Sequence, residues 1–320
     1  MNSFAISLAV FFFTLTLNAA VLKDSLEPAH EYTLKGVWTK TNNAQLIVTQ
    51  NSFINWNSGG NNSISGIIKL RFLRNYKSSH FSWINELRSN YGLNKEEKRE
   101  LRKTEDLFEI NSTFGYKKNT ESKWKNSAKF NFKSQLSNGY KYPDTEKPIS
   151  RFFSPAYLFL GLGTEYASQQ DQLKLYFSPA TNKTTFVFNR SLADEGSFGV
   201  EPAVYDTEGN LISRGKNTKI EFGTLITGEW ETDIMENIKM VNKLNLYSDY
   251  IHNYGNIDIN WELNFDLVIN KYVSANIGSH LIYDDDVHYK EDVDNDGELD
   301  VLGARIQLKQ LLGVGFSYLF

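Results

Sequence analysis

The 320-residue chain contains no cysteine. That excludes a disulfide framework, a thiolate zinc site, a cysteine nucleophile and an N-terminal lipid carried on cysteine. It is compatible with an oxidising compartment. Charge of one sign is also scarce: 34 basic against 38 acidic residues leave a net charge of -4. So small an imbalance gives no electrostatic reason to expect a nucleic-acid partner. Long apolar runs are missing too. Beyond the first twenty residues, no window approaches the ~18 consecutive apolar residues of a transmembrane helix. Mean hydropathy is -0.43. Yet 41% of residues are hydrophobic and 22% charged, which is not the composition of a disordered chain. What is abundant is aromatic: 22 Phe, 17 Tyr and 6 Trp, 14% in all.

The N-terminus reads MNSFAISLAVFFFTLTLNAA. Phe4 to Leu17 is uncharged, apolar and too short to span a bilayer. Small residues Ala19 and Ala20 follow, as at a cleavage site. The pattern is that of a signal peptide over residues 1–20. It departs from the pattern in having no Lys or Arg before the apolar run, the first being Lys23. A short buried helix is the other reading. The mature chain would start near Val21, with residues 21–40 a periplasmic segment and 41–320 one domain.

A secreted chain with no membrane helix is either soluble or a membrane β-barrel, and alternation separates the two. In NIDINWELNFDLVI (256–269) the apolar residues are Ile257, Ile259, Trp261, Leu263, Phe265, Leu267 and Ile269. Between them stand Asn256, Asp258, Asn260, Glu262, Asn264 and Asp266. A period of 2 held for so long exceeds the five or six residues of an ordinary strand. It matches the roughly nine to eleven residues a tilted strand needs to cross a bilayer. The pattern recurs along the chain. Segments near 45–55, 152–166, 171–189 and 238–250 alternate less cleanly. The final strand, LLGVGFSYLF, puts Leu312, Val314, Phe316, Tyr318 and Phe320 on one face. The sequence therefore predicts an all-β fold: a transmembrane antiparallel barrel of about 12 strands. An even count places both termini on the periplasmic side. Loops near 92–104, 139–151, 190–216 and 284–302 are long, though the one near 251–255 on the same side is short; opposite them the turn at Asn270-Lys271 is tight and that near 231–237 moderate, which is the barrel asymmetry.

Several constellations carry chemistry. One face of the strand after residue 122 presents Lys123, Lys125, Lys129 and Lys133. The inner face of 256–269 presents Asp258, Glu262 and Asp266. As fifth and tenth strands of twelve they would stand nearly opposite, a basic wall facing an acidic one. Such a lumen favours small polar or zwitterionic solutes. The same charges read equally as cross-lumen ion pairs that plug the barrel. The loop DVDNDGELD carries Asp292, Asp294, Asp296, Gly297, Glu298 and Asp300. Carboxylates at positions 1, 3, 5 and 9 with Gly at 6 follow the spacing of a Ca2+-wrapping loop. Gly303 stands where the bidentate Glu is usual, and a solvated acidic loop is the alternative. Apart from that Ca2+, no cofactor is expected. His280 shares an inward face with Ser274 and Asn276, but there is no G-x-S-x-G, so an outer-membrane hydrolase is a remote alternative and no enzyme is expected.

Taken together, NWNSGGNNSISG (55–66), RKTEDLFEI (102–110), GYKYP (139–143), SPAYLFLGLG (154–163), LADEGSFGVEPAVYD (192–206), HLIYDDD (280–286), the acidic loop and LGVGFSYLF (312–320) resemble an uncharacterised family of Gram-negative outer-membrane proteins. It is the domain-of-unknown-function family three-zero-seven-eight. The resemblance implies an outer-membrane β-barrel and attention to loop 192–206, but assigns no substrate or catalytic residue. Resemblance to other outer-membrane proteins makes Phe316, Tyr318 and Phe320 the C-terminal signal read by the barrel-assembly machinery. The expected partners are thus outer-membrane lipid, that machinery and a small polar solute. The leading expectation is a channel or selective pore; the alternative is a non-conducting structural or surface-binding barrel acting through its loops.

Overall fold

The computed structural model describes residues 36–52, 61–168, 172–251, 254–291 and 300–319. Residues 1–20, read from the sequence as a signal peptide, lie outside them. So do most of residues 21–40, Asp292, Asp294, Asp296, Glu298 and Phe320.

Twelve strands close into an antiparallel barrel. They are β1 (Val37–Asn51), β2 (Ser63–Lys77), β3 (Phe81–Glu96), β4 (Arg102–Tyr116), β5 (Trp124–Ser134), β6 (Ala156–Ala167), β7 (Leu173–Phe186), β8 (Thr218–Met235), β9 (Ile238–Asp249), β10 (Asp258–Val268), β11 (Val273–Tyr283) and β12 (Gln307–Leu319). Each pairs with its sequence neighbour, and β12 closes on β1. Closure removes the free edges of the sheet along the β1–β12 ladder, which satisfies backbone groups there without water.

Alternation sorts the side chains as the sequence predicts. Ile220, Phe222, Ile226 and Trp230 of β8 are exposed on the outer face, while Glu221 and Leu225 between them are buried inside. Leu312, Val314, Phe316 and Tyr318 of β12 are likewise exposed outward. So large an apolar exterior is stable only against lipid. Trp38, Trp83, Tyr116, Trp124, Trp230 and Tyr272 are exposed at one end of the barrel. This is the aromatic belt of a membrane–water interface.

At that end the turns are short: residues 78–80, 117–123, 168–172, 236–237 and 269–272. The opposite end carries the long connections 135–155, 187–217 and 284–306. One expected long loop is shorter than read. The β3–β4 hairpin continues past a bulge at Gly92/Leu93, so only residues 97–101 connect the strands. The first strand spans Val37–Asn51, starting about eight residues before the segment near 45–55 read from the sequence.

The long connections have structure of their own. Gly139–Tyr140 pairs with Pro148–Ser150. Residues 187–217 form a cap with a one-turn helix, α1 (Arg190–Asp194), started by Asn189, whose side chain accepts from Leu192 N–H. Val187, Leu192, Ala193 and Val200 are buried against each other, with Phe198 packed on them. Asp194 then ties the end of this segment, accepting from Gly215 N–H at 2.9 Å and from Arg214 at 2.7 Å.

Candidate functional site: the charged lumen

One of the strands that alternate less cleanly, β7, carries a lysine surrounded by three carboxylates. A bulge at Ser178-Pro179-Ala180 breaks its period. Proline has no N–H to give to a ladder, so a bulge is where a strand tolerates it. Before the bulge, Tyr176 faces in; after it, Thr181, Lys183 and Thr185 do, all buried. Ser178 Oγ caps the irregularity by donating to Leu162 O at 2.8 Å. Two glycines make the room. A Cβ at Gly163 would stand 2.1 Å from Phe177 O, and one at Gly223 2.0 Å from Ser248 O.

The bulge aims Lys183 into an acidic hub at the long-loop end. Its Nζ lies 2.7 Å from Asp258, 3.5 Å from Glu221 and 3.7 Å from Asp284. It also lies 5.1 Å from the Tyr247 ring centroid. Lys219 reaches Asp286 at 2.5 Å and Glu221 at 3.8 Å. Below, Tyr176, Leu225 and Tyr247 bury one another with Phe159 alongside. This part of the lumen is dry: the Lys183 and Glu221 side chains are 6% and 2% exposed.

Between β3–β4 and β8–β11 the lumen keeps solvent. Arg88 (β3) binds Glu109 (β4) at 3.0 Å, with side chains 24% and 14% exposed. Lys243 (β9) and Glu229 (β8) pair at 3.3 Å, with 29% and 32% exposed. Glu262 (β10) interacts electrostatically across the barrel with Arg88 and also with His280 and Lys133. Lys309 of β12 pairs with Glu105 of β4, four strands away around the ring.

The expected wall-against-wall arrangement is therefore replaced by local neutralisation. Lys125 and Lys129 turn sideways to Glu165 of neighbouring β6, at 2.6 and 3.5 Å. Lys129 also sits 4.1 Å above the Tyr176 ring. Lys123 precedes β5 and is exposed. Asp258 is held by Lys183 of β7, and Asp266 interacts with Lys69 and Lys239. Of the seven residues, Lys133 and Glu262 interact across the lumen, Asp266 reaches Lys69 four strands away around the ring, and Asp258 reaches Lys183 three strands away. Lys183 lies beyond the β7 bulge, where alternation counted from the start of the strand points it the wrong way. Glu165 keeps the unbroken alternation of β6, opposite the outward Leu160 and Leu162, and pairs in register with Lys125. An isolated wall of like charge in a low-dielectric tube would be costly, and counter-charges on adjacent strands remove that cost.

Of the remaining expectations, Asp300 begins a short strand, Asp300–Ala304, and its four acidic companions lie outside the described residues. Phe316 and Tyr318 face outward. His280 Nε2 is 3.0 Å from Asn260 Oδ1 and 4.0 Å from Glu262. Ser274 and Asn276 engage Gln45 of β1.

A closed twelve-stranded barrel with an apolar belt and a charged interior defines the class: a β-barrel membrane protein of the outer-membrane type. The family model "Protein of unknown function (DUF3078)" matches residues 48–140, the family that the motifs resemble. No curated protein matches the chain. Among solved structures it is similar to the translocator domain of autotransporter NalP from Neisseria meningitidis, at 9% identity and TM-score 0.34, covering 89% of this chain and 90% of that one. It is also similar to an outer membrane channel from Pseudomonas putida F1, at 8% identity and TM-score 0.38, covering 88% and 95%. The NanC porin gives 10% identity and TM-score 0.36, covering 86% and 98%.

Proposed function

We propose that the protein is a channel for small polar or zwitterionic solutes, narrowed at its long-loop mouth. One observation carries this reading: the charged side chains between β3–β4 and β8–β11 keep 14–32% of their surface inside a closed wall. Charges that face one another and still touch solvent line a water-filled path rather than a dry core. Mixed sign favours solutes that carry both charges or neither. The Lys183 hub and the 187–217 cap stand at one end as the constriction. The outer ends of β1 and β12, Val37 and Leu319, lie on the short-turn side, which we take as periplasmic. No step of this reading requires an enzyme or a cofactor. Assembly would rest on the C-terminal aromatics Phe316, Tyr318 and Phe320.

Single-channel recording in planar bilayers tests the reading. Wild type should give small, stable conductance steps. Neutralising Arg88 and Lys133 (Arg88→Gln with Lys133→Gln) should raise the preference for cations. A folded barrel without conductance, or one whose selectivity ignores those changes, would sink it. A second reading is favoured by the cap's own buried cluster of Val187, Leu192, Ala193 and Val200. An ordered loop core is what a surface-binding or purely structural barrel would use. Replacing residues 190–214 by a short glycine–serine link separates the two. A rise in conductance supports the constriction; unchanged conductance with lost binding or stability supports the second reading.

A further inference from the structure

The outer face carries two cations side by side near its short-turn end. Lys40 of β1 and Arg74 of β2 are direct cross-strand partners, and both point outward with Trp38 and Tyr76. Like charges directly opposite on a sheet repel. Arg74 donates from Nη1 to Asn42 Oδ1 and to the Leu73 carbonyl, both at 2.8 Å and both neutral, so neither contact offsets the two cations. They sit beside aromatics of the interfacial belt. The Trp38 ring lies 5.3 Å from Tyr76 and 5.9 Å from Trp83. At that depth the bilayer presents phosphate groups, and Arg and Lys match phosphate oxygens as donors.

A second feature adjoins the first. An outward groove of about 430 Å3 is lined by Ala44, Leu46, Ile68, Tyr272, Phe316 and Tyr318. Along β1 it begins at Ala44, two residues or roughly 7 Å beyond Asn42. It leads from the aromatic belt into the apolar zone and straddles β12, β1 and β2. That is the closing seam. The β1–β12 ladder runs only from Asn43–Leu319 to Val48–Val314, whereas β1–β2 is paired from Val37–Lys77 to Asn51–Ser63.

We propose that this composite surface holds one anionic phospholipid. Lys40 and Arg74 bind its phosphate, with Asn42 holding the Arg74 guanidinium in place. Ala44, Leu46, Ile68, Phe316 and Tyr318 take an acyl chain laid across the seam. The lipid neutralises the cationic pair and covers the shortest ladder. The leaflet is the one at the short-turn end. The inference rests on the barrel and its outer face, not on conduction.

Native mass spectrometry of the full chain, purified in non-ionic detergent and titrated with defined lipid, tests it. Wild type should retain phosphatidylglycerol at least tenfold better than phosphatidylcholine. Lys40→Gln with Arg74→Gln should abolish that preference. Ala44→Trp fills the groove, so it should weaken retention of long-chain phosphatidylglycerol and leave the dihexanoyl form unchanged. Equal retention of both headgroups by wild type would mean ordinary annular lipid and overturn the proposal. So would full retention by the double variant. Complete displacement by millimolar inorganic phosphate would mean a free-anion site and also overturn it. Should the double variant not fold, the wild-type headgroup ratio and Ala44→Trp still decide.

Discussion

Replacing Lys183 by methionine perturbs the centre of the long-loop hub. The methionine keeps the length of the stem and its packing, so the change is electrostatic. It removes the cation that sits within 4 Å of Asp258, Glu221 and Asp284. Lys219 still reaches Glu221 and Asp286, but Asp258 and Asp284 lose their cation. Removing one partner of a buried ion pair costs about 3–5 kcal/mol, because the remaining charge is left uncompensated. Lys183 is 6% exposed, so solvent screens little of that. The expected loss for Lys183→Met is therefore about 3–5 kcal/mol. Tryptophan-monitored denaturant unfolding of the barrel in lipid vesicles measures it. Adding Glu221→Gln and Asp258→Asn should recover part of the loss, since a pair removed together leaves no orphan charge. A loss under about 1 kcal/mol would refute the reasoning, because that is the range of an exposed pair. So would a triple variant no more stable than Lys183→Met.

Three further outcomes follow from the same geometry. Glu165→Gln leaves Lys125 and Lys129 without their shared carboxylate; unfolding should be easier by about 2–4 kcal/mol, whereas Glu231→Gln, at an exposed pair with Lys239, should change it by less than about 1 kcal/mol in the same assay. Gly163→Ala forces a Cβ to within 2.1 Å of Phe177 O, so the β6–β7 bulge cannot form unchanged and the yield of heat-modifiable barrel should fall; a normal yield counts against the role given to that bulge. In the cap, burial pushes the Asp194 carboxyl up, but hydrogen bonds from Gly215 N–H and Arg214 and the charges of Arg214 and Arg190 hold it below the usual range. A depressed folded-state pKa stabilises above the unfolded value and is lost as pH falls through the folded one. Amide-exchange protection of residues 190–216 should therefore drop on acidification below pH ~4. In Asp194→Asn it should be low at neutral pH and insensitive to that change. Protection that is flat with pH in wild type would contradict this.

How far the sequence reached is clearest from individual strands. β10 was read nearly to its ends, because Asp258 to Val268 keeps its period unbroken and alternation is a local property. β7 was read only as a poor strand. Its facing reverses across Ser178-Pro179-Ala180, and no period survives a reversal. The consequence reached the site: Lys183, which holds Asp258, is not among the expected lumenal residues. Glu165, which holds Lys125 and Lys129, is absent from them too, although β6 alternates without a break. One signal was present: a proline flanked by Ser and Ala inside an apolar stretch marks a bulge, and restarting the alternation after it turns Lys183 inward.

The sequence by itself determined an antiparallel barrel of about twelve strands, the lipid-facing set of its cleanly alternating strands and most of the inequality between its two sets of connections. Those follow from period, strand length and loop spacing, each readable within one hairpin. Only the tertiary structure decided which charges meet. Glu105 and Lys309 are 204 positions apart in sequence and touch because the ring closes between them. Lys40 and Arg74 become neighbours through register, and the apolar groove beside them exists only where β12 returns to β1. Closure and register are properties of the whole sheet, and no single strand carries them.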